Sequence, residues 1–174
     1  MSERNASFAG LTPTDNDVIN VICRIAMETD RRRVEMAALT KAAKQVGLDE
    51  SELAESVQIL DEDGYLKAMR TMGGIQYVMV DPGALDVFCE ATRPDYATVE
   101  NEALASIAKQ AEATDAGLGM AQLPYPDGVP TVMIDGILNK WESQGMFQVQ
   151  EEWGAPQLLI THISPKLKRA LWER

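Results

Sequence analysis

The chain has one histidine, two cysteines and few aromatic residues, and each shortage removes a class of chemistry. A lone imidazole at His162 cannot build a histidine metal cluster, and its place between a strand-like run and a proline-started helix points to a surface or turn role. Cys23 and Cys89 stand 66 positions apart, each inside a helical pattern, which favours buried reduced thiols over a disulfide framework or a zinc cluster. No apolar run approaches the ~20 residues that a membrane span requires. The opening MSERNASFAGLTPTD lacks the cationic and apolar segments of a secretory signal. A cytoplasmic location with no membrane contact is therefore expected. Also missing are a phosphate-cradling glycine-lysine loop, a nucleophile elbow, H-E-x-x-H and a dinucleotide fingerprint. No enzymatic activity, metal or cofactor is expected on those grounds.

Basic residues are scarce as well: 16 against 27 acidic ones, for a net charge of -11. The deficit is shared, with net -6 over residues 1–94 and net -5 over 95–174, so neither half is a basic module. Such a balance opposes nonspecific binding to polyanions. The hydrophobic content of 45% is nonetheless enough for a buried core.

The most informative stretch runs from Val46 to Val80. Asp49 with Glu52 three residues later forms the Asp-x-x-Glu version of a capping box, and Gly64 supplies a left-handed stop, which predicts a helix over 50–63. Tyr65 to Met72 and Ile75 to Val80 read as two strands, with Gly73-Gly74 as the two-residue turn between them.

Upstream, the first ten residues are expected to be loose. Thr12-Pro13-Thr14-Asp15 opens a first helix whose Val18, Ile19, Val21, Ile22, Ile25 and Ala26 should wall the core. Val34 marks a short strand, and Met36 to Val46 a helix with Leu39, Ala42, Ala43 and Val46 facing inward. Asp81-Pro82 begins another short helix, with Leu85, Phe88 and Cys89 inside, and Thr92-Arg93-Pro94 is the candidate linker.

The second half repeats the plan. A helix is predicted from about Tyr96 to Ala113, a short second helix at Met120 to Leu123, and a third opening at Thr131. Ile134, Leu138, Trp141 and Gly145 follow Leu53, Val57, Leu60 and Gly64 at a constant offset of 81 residues. Met146 to Gln150 and Gln157 to Thr161 should make a second hairpin, tipped by Glu151 to Pro156. Ser164-Pro165 starts a closing helix with Leu167 and Leu171 inward.

The order helix, helix, acidic helix, glycine, hairpin resembles that of winged-helix proteins. The resemblance covers Leu11 to Trp172 and implies an α+β, mostly helical fold of two winged-helix domains in tandem, at 11–92 and 95–174. Two functions then compete. One is a non-enzymatic regulatory adaptor that binds a protein partner or a second copy of itself, with a nucleoprotein assembly as one setting. The resemblance to tandem winged-helix subunits of chromosome-segregation and membrane-sorting complexes implies this role. The other is a transcriptional regulator that binds DNA directly as a dimer.

Charge favours the adaptor. With Leu53, Val57 and Leu60 inward, the acidic helix points Glu55 and Glu62 outward, flanked by Ser51, Glu52, Gln58 and Ile59. Glu52, Glu55, Ile59 and Glu62, with Trp153 at the second hairpin tip, are the candidate protein interface. Carboxylates facing phosphate make a poor groove reader. The successive residues Asp61, Glu62 and Asp63 diverge around a helix and read as a solvated end rather than a cation site. Candidate nucleic-acid contacts are Arg31, Arg32, Arg33, Lys41, Lys44, Lys67 and Arg70, together with Asn139 and Lys140 on a nearly neutral helix face that includes Val132, Gly136 and Ser143. Lys166, Lys168 and Arg169 are further basic residues near the end. Scattered cations of this kind ordinarily sit in solvated ion pairs.

Overall fold

The computed structural model describes residues 5–113, 120–150 and 157–172. They form an α+β fold of seven helices and two three-stranded antiparallel sheets. By contact the chain divides into two units, Met1–Arg93 with Pro130–Gly136 and Pro94–Val129 with Ile137–Arg174.

Unit 1 is built on α1 (Pro13–Thr29), which starts where Thr12 Oγ1 accepts the Asp15 N–H at 3.2 Å and Pro13 presets the first helical φ. The helix stops at Asp30, a non-glycine residue in the left-handed region at φ 49°. Next come β1 (Arg33–Glu35), α2 (Met36–Gln45), α3 (Glu50–Glu62), β2 (Leu66–Thr71), β3 (Gly74–Val80) and α4 (Pro82–Thr92). The sheet order β1-β3-β2 puts the first strand beside the last. Val34, Val78 and Val80 of the sheet are buried, as are Val18, Ile19, Ile22 and Ala26 of α1, against which β1 and β3 pack, and Leu53, Val57 and Leu60 of α3, which packs on α1. The alternation in β1 and β3 is why one face of so small a sheet can be dry.

Four expectations for this unit need correction. Residues 5–10 are anchored rather than loose: Ala6 and Phe8 are buried, and the Asn20 carboxamide both accepts from Ala6 N (2.8 Å) and donates to Ala6 O (2.9 Å). Phe8 N donates to Asn16 Oδ1 at 2.8 Å, and the Phe8 ring meets Tyr65 edge-on at 5.6 Å. Val46 is half exposed because α2 ends at Gln45 and the turn at Gly47 carries Val46 off the inward stripe; Ile25 is likewise only half-buried. The hairpin loop is Met72-Gly73, since Thr71 pairs with Gly74. Gly74, at φ 110°, is the residue whose backbone needs glycine, and the register shifts at Met69/Arg70.

The later elements are α5 (Tyr96–Ala113), β4 (Ala121–Pro124), α6 (Thr131–Ser143), β5 (Gln148–Gln150), β6 (Gln157–Thr161) and α7 (Pro165–Trp172). Their sheet order, β4-β6-β5, matches that of unit 1. Each bound of α6 falls 81 residues after the corresponding bound of α3. The helix expected at Met120 to Leu123 is instead the strand β4. Ala121 and Leu123 are buried while Gln122 and Pro124 are exposed, a period of two that pairs them with Ile160 and Leu158. Among the described residues no helix stands between β4 and α6. Leu167 is buried and Leu171 half-buried on α7.

Candidate interaction surfaces

The acidic helix α3 is held at both ends by its own carboxylates. Asp49 Oδ1 accepts from Ser51 N (2.8 Å) and Glu52 N (2.9 Å), and Glu52 Oε2 accepts from Asp49 N (2.9 Å), completing the capping box. At the other end Asp61 accepts from Ala68 N (3.1 Å) and from Arg70 Nη1 (2.7 Å), tying α3 to β2. The Arg70 hydrogen bond, against the opposing effect of burial and with help from the Ala68 N–H, holds the Asp61 carboxyl below its ordinary value. Asp61 is thus a structural anion, a role that needed the hairpin register to be seen.

The inward side has a polar contact that periodicity missed. Ser56 is buried beside Leu53, Val57 and Leu60, and its hydroxyl donates to Asp15 Oδ1 at 2.6 Å. Thr12 Oγ1 donates to Asp15 Oδ2, also at 2.6 Å. Burial would raise the Asp15 pKa, but the Ser56 hydroxyl and then the two Thr12 contacts outweigh it and hold the carboxyl below its ordinary 3.8. Ser56 follows Leu53 by three residues, the same-face spacing that could have flagged it.

Outward, α3 exposes Ser51, Glu52, Glu55, Gln58 and Glu62, with Ile59 half-buried among them. Gln58 Nε2 donates to Glu62 Oε1 at 2.9 Å. None of the residues of α3 is basic. Glu52, Glu55, Ile59 and Glu62 do share one surface; Trp153, assigned to the same interface, lies outside the described residues.

The basic residues do not converge on one surface in the same way. Arg33 pairs with Glu35 (2.6 Å) and lies over the Tyr77 ring at 3.9 Å. Lys44 pairs with Glu50 and Arg70 with Asp61, each at 2.7 Å. Arg32 Nε donates to Val80 O at 3.0 Å. Arg31, Lys41 and Lys67 are exposed. Lys140 sits 3.1 Å from the buried carboxylate of Glu100, which also accepts from Trp141 Nε1 at 2.9 Å, and lies over the Tyr96 ring. That geometry removes Lys140 from the candidate phosphate contacts, because leaving would strand a buried charge.

The nearly neutral face of α6, which could meet DNA or another helix and on which Gly136 would allow close approach, is largely closed, with Gly136 set against α4. Val132 and Gly136 are buried, and Asn139 and Lys140 are half-buried. Within unit 1, a Cβ on Gly136 would lie 3.0 Å from Asp86 N and 3.1 Å from Pro82 O. Asp30 Oδ1, from the left-handed stop of α1, accepts from Thr131 Oγ1 (2.9 Å) and Val132 N (3.1 Å) and so caps the start of α6. His162 is exposed, at φ 54° in the turn before α7, with Nδ1 3.1 Å from Thr161 Oγ1. The first hairpin tip carries Met72, fully exposed, with Met69 partly so.

No protein-family model matches this chain, and no curated protein does. Among solved structures, a chain of the one titled "Structure of the ESCRT-II endosomal trafficking complex" is similar over 90% of this chain and 94% of that one, at 10% identity and a TM-score of 0.29. A likeness at that TM-score carries no argument about function.

Proposed function

We propose that the chain is a non-enzymatic regulatory adaptor of two winged-helix domains in tandem, at 11–92 and 95–174, that binds a protein partner rather than DNA. One observation carries this reading: the outward face of α3, which a DNA-reading winged helix would lay in the major groove, exposes Glu52, Glu55 and Glu62 and no cation. Groove entry would bring three carboxylates toward phosphate with few counterions released in exchange. The α6 face, the other candidate reader, is mostly buried. A protein partner with a basic surface meets the same carboxylates favourably, and such complementarity acts chiefly on association rate and specificity.

The test is fluorescence anisotropy of a labelled random-sequence duplex across a salt series. Negligible binding at physiological salt is expected. Submicromolar binding with a steep salt slope would overturn the adaptor in favour of a dimeric DNA-binding regulator that pools Arg31, Arg32, Lys41 and Lys67. In parallel, converting Glu52, Glu55 and Glu62 to Gln should weaken recovery of whatever protein the wild type crosslinks through α3, while leaving the far-UV spectrum unchanged.

A further inference from the structure

In unit 1, β1 is an edge strand with β3 on one side and, among the described residues, no strand on the other. Its hydrogen-bonding phase follows from the register. Val34 is opposite Val78, and Val80 N donates to Arg32 O at 2.9 Å, so the backbone groups of Arg32 and Val34 point toward β3. Those of Arg33, and the N–H of Glu35, therefore point to the free edge.

That edge forms one wall of a groove of about 660 Å3. Ile25 of α1 and Ala38 in the first turn of α2 supply apolar lining, Val34 contributes from β1, and Arg31, Arg33 and Glu35 line it from the strand side, with Glu35 paired to Arg33 so that Arg31 carries the attraction for an anion. Arg31 is exposed. The α2 N-cap, Glu35, makes no side-chain capping bond, because its carboxylate is turned to Arg33. The first-turn N–H groups of α2 thus add their partial positive charge beside Ala38. In a chain of net charge -11, Arg31-Arg32-Arg33 is the one run of three cations.

We propose that this groove binds an extended acidic segment of another protein, which adds as a fourth strand on the free edge of β1. Backbone pairing at Arg33 and Glu35 would hold the segment, a small apolar side chain would enter between Ile25 and Ala38, and a carboxylate would meet Arg31 near the start of α2. A second copy of this chain is the poorer occupant, since two bodies of charge -11 repel. The site does not depend on the carboxylates of α3.

An array of immobilised ten-residue peptides of varied charge, probed with the purified full chain, supplies the ligand. The best binder is then labelled and titrated by anisotropy. Asp- and Glu-bearing peptides with an alternating apolar residue should be enriched. Arg31→Glu should weaken the selected peptide tenfold or more, and Arg31→Lys only slightly. Arg33→Pro, which deletes an N–H that β3 does not use, should bind several-fold more weakly than Arg33→Ala. The triple Gln change on α3 should leave this affinity unchanged, which separates failure here from failure of the adaptor proposal. No acidic enrichment, equal binding by the Pro and Ala variants, indifference to Arg31→Glu, preferential self-association at the edge, or equally tight capture of duplex DNA through Arg31 would each overturn the proposal. Unchanged thermal melts establish that the variants are folded.

Discussion

Replacing Ser56 by Ala tests whether the contact between α1 and α3 is held by an ionised carboxylate. The hydroxyl donates to Asp15 Oδ1 at 2.6 Å in a buried setting, where Asp15 is 3% and Ser56 2% exposed. A hydrogen bond to a charged group contributes about 1.5–3 kcal/mol, and leaving the acceptor dry lies toward the upper end. Alanine returns roughly 0.5 kcal/mol of helix propensity over serine. The net loss should be about 1–2.5 kcal/mol at pH 7. Because Trp141, Trp153 and Trp172 all lie in the second half of the chain, urea unfolding of unit 1 is best followed by far-UV circular dichroism. A lower midpoint with unchanged slope is expected. The folded pKa of Asp15 is depressed, so its contribution is complete above the ordinary value of 3.8 and is lost as pH falls through the lower folded value. The gap between wild type and variant should therefore narrow below about pH 3.8. A midpoint equal to wild type, or a gap that stays constant down to pH 2.5, would refute the assignment of Asp15 as an ionised anchor.

Other expectations concern packing and boundaries. Val57→Asp places a charge at a site with no solvent access and should destabilise unit 1 by several kcal/mol, roughly 3 or more, while exposed Glu55→Ala should stay within about 0.5 in the same urea assay. Gly136→Val should lower stability by about 1–3 kcal/mol, because the nearest atoms, Asp86 N and Pro82 O, are backbone and cannot swing aside; Gly73→Ala, with its nearest neighbour at 4.0 Å, is the harmless control. Subtilisin should nick first at Thr92–Pro94 or in the loop at 125–129, whose residues 126–128 are exposed, and early cleavage inside α5 would contradict a two-domain division.

What was legible in the sequence was local chemistry that repeats. The Asp49-Glu52 box and Gly64 bound α3 to within a residue, and Thr131 with Gly145, 81 residues after Gly64, bounds α6 in the same way. What escaped was decided by partners distant in sequence. Lys140 looks available on its own helix, yet Glu100, forty residues earlier, binds it in a dry setting. The strand β4 offers only two inward positions, Ala121 and Leu123, too few to distinguish period two from a helical turn until β6 pairs with it. Ser56 and Asn20 look like polar helix filler. Each is buried against a partner from outside its own helical turn, Asp15 for Ser56 and Ala6 for Asn20, although Asn20 Nδ2 also donates to Asn16 O at 2.7 Å.

The segment from Asn5 to Leu11 therefore behaves as a ligand that happens to be covalently attached. Asn20 grips both the N–H and the C=O of Ala6, and Phe8 fills an apolar site against Tyr65. A short tether confers an effective concentration in the millimolar range, so modest intrinsic affinity is enough to keep the site full. A free peptide of the same sequence would compete only near that concentration. Removing the tether by cleavage at Leu11 would convert a permanent occupant into one diluted away, uncovering the Asn20 carboxamide and the Phe8 site together.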